Sequence, residues 1–324
     1  MISTRIISAD EAGIAEAAAL IRRGVPVAVP TETVYGLAGD ATSGEAVAAI
    51  YAAKGRPSFN PLIVHVADLA MAEGLALFSP LARRLAEAFW PGPLTMVLPT
   101  GASARIARLV TAGLETIAVR APAHPVMRAL IASVGHPLAA PSANASGSIS
   151  ATRAEHAARS LDGKIELVLD GGATEVGIES TIVAVADGGL RLLRPGSVTV
   201  EMLELVAGMA VDTGDNGEIE APGQMLSHYA PAKRVRLDAD IAGADEFHIG
   251  FGPVAGRSSL SDRGNLAEAA TRLFDMLHEA DRSDAAAIAV APIPRAGLGL
   301  AINDRLERAA APRPPSDGSE TSLG

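Results

Sequence analysis

The 324-residue chain contains no cysteine, which removes disulfides, thiolate metal ligands and cysteine nucleophiles together and fits a reducing cytosol. Aromatic residues make up only 3%, so a core has to be built from Val, Leu, Ile and Ala. Lysine occurs only as Lys54, Lys164 and Lys233, while arginine is plentiful. No apolar run approaches the roughly 20 residues that a bilayer span needs. Met1-Ile2-Ser3-Thr4-Arg5 is not followed by the apolar stretch of a secretory signal. A soluble cytoplasmic protein without membrane contact is therefore expected. The net charge of −10 leaves no basic excess for stable nucleic-acid binding, although a local basic groove stays open. A P-loop, a dinucleotide fingerprint opening a helix after a strand, and a zinc-spaced histidine pair are all missing. Any phosphate recognition then rests on side chains and loop amides.

What is present describes a globular protein. Hydrophobic residues make up 48% and charged residues 20%, and the length suits two domains. Apolar spacing predicts helices over 9–23, 44–53, 80–90 and 125–134, with a capping box from Thr152 to Glu155 opening another. Strands are predicted at 25–29, 62–66, 94–98, 116–120, 137–140, 166–169, 180–185 and 190–193. Several strands follow one another without a helix, which favours an α/β domain with a mixed sheet over a doubly wound one. The expected domains are a catalytic unit over 1–205, a linker or lid over 206–232, a small C-terminal α/β unit over 233–312, and a disordered tail over 313–324. The linker assignment rests on the acidic, Gly-rich run Asp212–Glu218.

Two segments carry the chemistry. Pro30-Thr31-Glu32-Thr33-Val34-Tyr35-Gly36-Leu37 leaves a strand with hydroxyls, a carboxylate and a phenol. Lys54-Gly55-Arg56-Pro57-Ser58-Phe59-Asn60-Pro61-Leu62 offers two cations, a hydroxyl and an amide after a short helix. Arginine can grip a phosphate with two prongs, and a compact ammonium neutralises charge on a leaving phosphate. Each residue also has a plainer reading. Lys54 and Arg56 suit a solvated helix end, the hydroxyls suit an ordinary loop, and His65 suits a satisfied core position. Ser142, Asn144, Ser146, Ser148 and Ser150 suit a flexible loop, and Glu179-Ser180-Thr181 and Arg194-Pro195-Gly196 suit structural turns. Arg120, ending an apolar strand, needs an anionic partner from protein or ligand. His228 and Tyr229 are lid candidates.

In order along the chain, these segments resemble the L-threonylcarbamoyladenylate synthase family in its two-domain form. PTETVYGL at 30–37, KGRPSFNPLIVHV at 54–66, WPGPLT at 90–95, TIAVRAPAHP at 116–125, APSANASG at 140–147, ESTIV at 179–183, LRPG at 193–196 and HYAP at 228–231 carry the likeness, and GLGLAINDRL at 297–306 resembles the second domain. The resemblance implies a YrdC-type twisted mixed sheet with flanking helices, plus a small Rossmann-like C-terminal domain. It implies a nucleotidyltransferase. L-threonine, bicarbonate (or carbon dioxide) and ATP would give threonylcarbamoyl-AMP and pyrophosphate, and a separate transferase machinery would modify tRNA next to the anticodon. It assigns Thr33, His65, Arg120, Ala140 and Ser180 to threonine. It assigns Lys54, Arg56, Asn60, Thr116, Ser142, Ser150 and Arg194 to ATP, with Lys54 and Arg56 on the phosphates. Mg²⁺ would arrive with the triphosphate, with no protein metal site. Relatives carry an aromatic just ahead of HYAP, where Gln224-Met225-Leu226 stands here, so the lid's contact with ATP departs from the family pattern. Two other classes stand beside this one: an RNA-binding module, and a carbamoyl-handling domain of a maturation factor.

Overall fold

The computed structural model describes residues 3–186, 188–214, 220–222 and 228–312. Gln224-Met225-Leu226, residues 215–219 of the acidic run and the 313–324 tail lie outside the described residues. The strands β1 (Arg5–Ser8), β2 (Val27–Val29), β3 (Gly36–Asp40), β4 (Ile63–His65), β5 (Leu94–Pro99), β6 (Thr116–Arg120), β7 (Leu138–Ala139), β8 (Leu167–Asp170), β9 (Thr181–Ala186) and β10 (Gly189–Arg194) form one sheet. Its order is β1-β8-β2-β3-β7-β4-β6-β5-β9-β10, and parallel and antiparallel pairs mix along it. Seven described helices accompany it: α1 (Glu11–Arg22), α2 (Gly44–Lys54), α3 (Leu69–Glu73), α4 (Pro80–Phe89), α5 (Pro125–Val134), α6 (Ala154–Ser160) and α7 (Val200–Ala207). Side chains alternate across a strand, and the burial follows. Val27 and Val29 join α1 and α5 in one core, while Ala28 faces a second core with α2 and α4.

The second unit is a parallel sheet of β11 (Arg234–Arg236), β12 (Glu246–Gly250), β13 (Ser258–Ser259) and β14 (Ala287–Val290), in the order β11-β14-β12-β13. Helices α8 (Leu266–Arg282) and α9 (Leu298–Ala310) pack with it. Its core is not closed on itself. Val34, Ile149 and Ile178 of the first unit are buried in the same cluster as Phe247, Leu273 and Phe274.

The departures from the sequence expectation have local causes. β1 is a short edge strand with exposed ends, so it lacks an apolar signature. β3 is Gly-rich because α2 lies close above it: a Cβ on Gly39 would sit 3.0 Å from Ile50 Cδ1. The helices α3 and α7 and the strand β13 were not anticipated. The Thr152–Glu155 capping box does not form. The N-cap of α6 is Arg153, without a side-chain bond. Thr152 Oγ1 instead donates to Asp275 Oδ1 on α8 at 2.5 Å, so a tertiary contact takes the hydroxyl. Arg153 pairs with the same carboxylate at 2.8 Å, and the His156 and His278 rings stack 3.8 Å apart across the two units.

Gly177 shows how tightly the units meet. Its φ is +79°, and a Cβ there would lie 2.4 Å from Thr271 Cα on α8. Gly177→Ala therefore combines strain with a backbone clash, and calorimetry should show a fall in Tm of roughly 5 °C or more. An unchanged Tm would contradict this docking.

Candidate active site

The loop between β2 and β3 is the tip of an antiparallel hairpin. Thr31 turns it, because its Oγ1 donates to Val34 O at 2.6 Å and meets Thr33 Oγ1 at 2.8 Å. Tyr35 is not a site residue. It is fully buried and donates to Gly172 O at 2.7 Å. The hairpin tip faces the carboxyl ends of the parallel pair β4 and β6, where His65 and Arg120 are register partners. Strand ends of this kind are where α/β proteins bind ligands.

Arg120 meets its need for an anion within the protein, through Glu32, and keeps guanidinium hydrogens beyond those bonds. Its Nη2 donates to Glu32 Oε1 at 2.6 Å, Nη1 to Thr33 Oγ1 at 3.0 Å and Nε to Gly92 O at 3.1 Å. Burial pushes the Glu32 pKa up, but the charge and hydrogen bond of Arg120 outweigh it and hold it below the ordinary value. Glu32 Oε2 is buried without a hydrogen-bond partner among the described residues. His65 is held neutral, its pKa lowered to about 3 by burial and then by the Arg120 charge.

Thr33, His65, Arg120, Ala140 and Ser180 line one cavity. Arg56, Ser142 and Arg194 line it too, as do His228 and Tyr229. The remaining residues assigned to ATP do not. Lys54 lies behind the wall, 3% exposed, with Nζ donating to Ser142 O and Asn144 O at 2.5 Å each. That also corrects the solvated-helix-end reading: the ammonium pins the 142–144 loop from beneath. Burial, then the Arg56 charge, push its pKa well below the ordinary value. Ser150 is fully buried and donates to Glu179 Oε1 at 2.5 Å. Thr116 begins β6 and is roughly 13 Å from Arg120 along the strand at about 3.3 Å per residue. Pairing of Ile63 with Ala118 sets it beside the Asn60–Pro61 segment. Arg56 bridges toward that segment, with Nε on Asn60 O at 3.3 Å and Nη2 on Pro61 O at 3.0 Å.

Arg56 and Arg194 are both buried and neither has an ion pair among the described residues. Arg194 is held by Ser180 O at 3.1 Å, Ser180 Oγ at 3.2 Å and Pro222 O at 3.4 Å. Burial lowers the pKa of Arg56 to about 10 and also lowers that of Arg194, and each of the two is pushed further down by a neighbouring arginine charge. Such buried guanidinium groups, bonded among the described residues only to neutral acceptors, are suited to an anion.

Two further residues matter here: Glu179, read from the sequence as part of a structural turn, and Arg305, which was not singled out. Glu179 lines the cavity. Arg305 of α9 reaches it across the unit boundary, Nε to Oε2 at 2.8 Å. The signal for Arg305 was available. Ile302, Arg305, Leu306 and Ala309 fall on the buried face of α9, so this cation occupies a core position.

Three buried histidines and the half-buried His278 set an acid sensitivity. Burial is the first cause of the lowered pKa at His65, His156, His228 and His278, with those of His65 and His156 about 3. Below the ordinary value of 6.5 the unfolded chain binds protons that the folded chain does not, so stability falls as pH falls. Urea unfolding should show a decline between pH 7 and pH 5 of up to about 1.4 kcal/mol per pH unit for each such histidine. A flat profile over that range would contradict the buried neutral state.

A family model described as telomere recombination (Sua5_yciO_yrdC) matches residues 19–196. A second, described as threonylcarbamoyl-AMP synthase, C-terminal domain, matches 198–311. The chain is 42% identical over 331 residues to a threonylcarbamoyl-AMP synthase of Bacillus subtilis (strain 168), covering 95% of each. It is 40% identical to one of Pyrococcus abyssi, covering 93% of this chain and 94% of that one. The solved structure of P. abyssi Sua5 complexed with L-threonine superposes with a TM-score of 0.85 at 38% identity, over 96% of this chain and 97% of that one. The chain belongs to the Sua5/YciO/YrdC family, in the two-domain form that carries the threonylcarbamoyl-AMP synthase C-terminal domain.

Proposed function

We propose that this chain condenses L-threonine, bicarbonate and ATP into threonylcarbamoyl-AMP and pyrophosphate, and that a transferase machinery passes the threonylcarbamoyl group to tRNA adenosine. The reading rests above all on Arg56 and Arg194, two buried guanidinium groups without ion-pair partners among the described residues, facing one cavity with Thr33, His65 and Arg120. Family membership and the threonine complex of P. abyssi Sua5 support it.

Threonine sits between the hairpin tip and the ends of β4 and β6, against Thr33, His65, Arg120 and Ser180 and the backbone at Ala140. Arg120 offers its carboxylate the remaining guanidinium hydrogens. ATP runs from Arg194 and Ser142 past Arg56 toward Asn60 and Thr116, with Ser150 and Lys54 behind the wall. A triphosphate brought near Lys54 favours its charged form and offsets the burial.

The unprotonated threonine amine forms a C–N bond to the bicarbonate carbon, and water is lost. An oxygen of the new carboxylate then attacks the α-phosphorus. The bond from that phosphorus to the bridging oxygen breaks, and pyrophosphate leaves with the electron pair. Arg56 and Arg194 are in place before charge develops on the phosphates, so little reorganisation is needed. His228 and Tyr229 wall the cavity and exclude water from the labile mixed anhydride. Among the described residues no three His, Cys, Asp or Glu side chains cluster as a metal site. Mg²⁺ would come with ATP and would neutralise phosphate charge.

Pyrophosphate release measured with each substrate omitted in turn should require threonine, bicarbonate and ATP together, stop with EDTA and return with Mg²⁺. Release without threonine would point to a plain ATP pyrophosphatase, and release undiminished by EDTA would refute the role of Mg²⁺.

A further inference from the structure

Arg305 is fully buried on the apolar face of α9, between Ile302 and Leu306. A cation placed there has to be paired, since neither water nor a neutral core compensates it. Its Nη1 donates to Asp304 Oδ2 at 2.5 Å on its own helix. Its Nε donates across the boundary to Glu179 Oε2 at 2.8 Å, and its guanidinium carbon lies 5.3 Å from the centroid of the Tyr229 ring. Tyr229 in turn meets His228 edge-on, with centroids 4.1 Å apart. Among the second unit's contacts with the cavity wall, this side chain holds both an acid and the lid aromatic.

Glu179 stands next in the chain to Ser180, whose carbonyl and hydroxyl hold Arg194. Both Glu179 and Arg194 line the cavity. Two cations therefore compete for one buried carboxylate. With Arg305 docked, one oxygen of Glu179 is taken by Arg305 and the other by Ser150. Arg194 is left with neutral acceptors. Without Arg305, the cation next most strongly coupled to Glu179 is Arg194, and an Arg194–Glu179 pair would remove a cation from the phosphate site.

We propose that Arg305 is a positioning residue supplied by the C-terminal unit: it occupies Glu179 and backs Tyr229, and so keeps Arg194 free to bind the triphosphate. This inference rests on the adenylyl-transfer reading of the cavity. It gives the C-terminal unit a role in ATP affinity, transmitted by one buried ion pair. Lysine cannot substitute fully, because a single ammonium does not reproduce the fork that reaches Glu179 and Asp304 together.

The test compares full-length wild type, Arg305→Gln, and Arg305→Gln combined with Glu179→Gln. Pyrophosphate release is measured against ATP concentration, and binding of α,β-methylene-ATP by calorimetry. Arg305→Gln should raise KM and Kd for the nucleotide about tenfold or more, with kcat at saturation changed less. Removing the Glu179 charge in that background should recover most of the lost affinity. A merely structural role would lower the active fraction, so kcat would fall with KM unchanged; that result overturns the proposal, as does a double variant no better than the single. If Arg305→Gln does not fold, Arg305→Lys with and without Glu179→Gln carries the same comparison. Calorimetry separates the two levels of inference. A wild type that binds the analogue but releases no pyrophosphate refutes the reaction, while the affinities still decide the role of Arg305.

Discussion

The cavity is governed by the way buried cations are neutralised. Lys54, Arg56, Arg120, Arg194 and Arg305 are all at most 8% exposed. Two of them have carboxylates: Arg120 has Glu32, and Arg305 has Glu179 with Asp304. Among the described residues, the other three are bonded only to backbone carbonyls and a hydroxyl. Taking charges out of water is costly unless each is paired. A fold that leaves three without ion pairs around one cavity is organised for a polyanion. Burial first, and then the neighbouring cations, lower the pKa values of Lys54, Arg56 and His228.

The fold supplies this arrangement by strand geometry. The parallel pair β4 and β6 puts His65 and Arg120 side by side, and the β2–β3 hairpin brings Thr33 and Glu32 over them. The antiparallel step from β3 to β7 carries the chain into the 140–144 loop, which Lys54 pins at Ser142 and Asn144. On the far side, the turns at 179–181 and 194–196 lie against each other through Arg194 and Ser180. The second unit then closes the wall. Tyr229, Val34, Ile149 and Ile178 are buried in its core, so the boundary between units is also a boundary of the site.

Much of this was legible in the sequence. Strand 116–120 and helix 125–134 follow from their apolar spacing and match the structure end for end. The mixed sheet follows from strands without intervening helices. The residues lining the cavity were largely named by segments such as PTETVYGL and ESTIV. What was not legible depends on contacts distant in the chain. Glu32 as the partner of Arg120 joins positions 88 apart. Thr152 reads locally as a helix cap, yet Asp275 claims it from 123 residues away. Lys54 reads as a solvated helix end because nothing nearby in sequence announces that Ser142 and Asn144 will lie over it. Glu179 reads as part of a turn, and only the docking of α9 makes it the partner of Arg305.

The most direct test of the account is the affinity for a non-hydrolysable ATP analogue in Arg56→Gln and Arg194→Gln, compared with wild type by calorimetry. If these guanidinium groups are held for the triphosphate, each variant should bind at least about tenfold more weakly. Unchanged affinity in both would mean that the buried charges serve the fold alone, and would contradict the account at its centre.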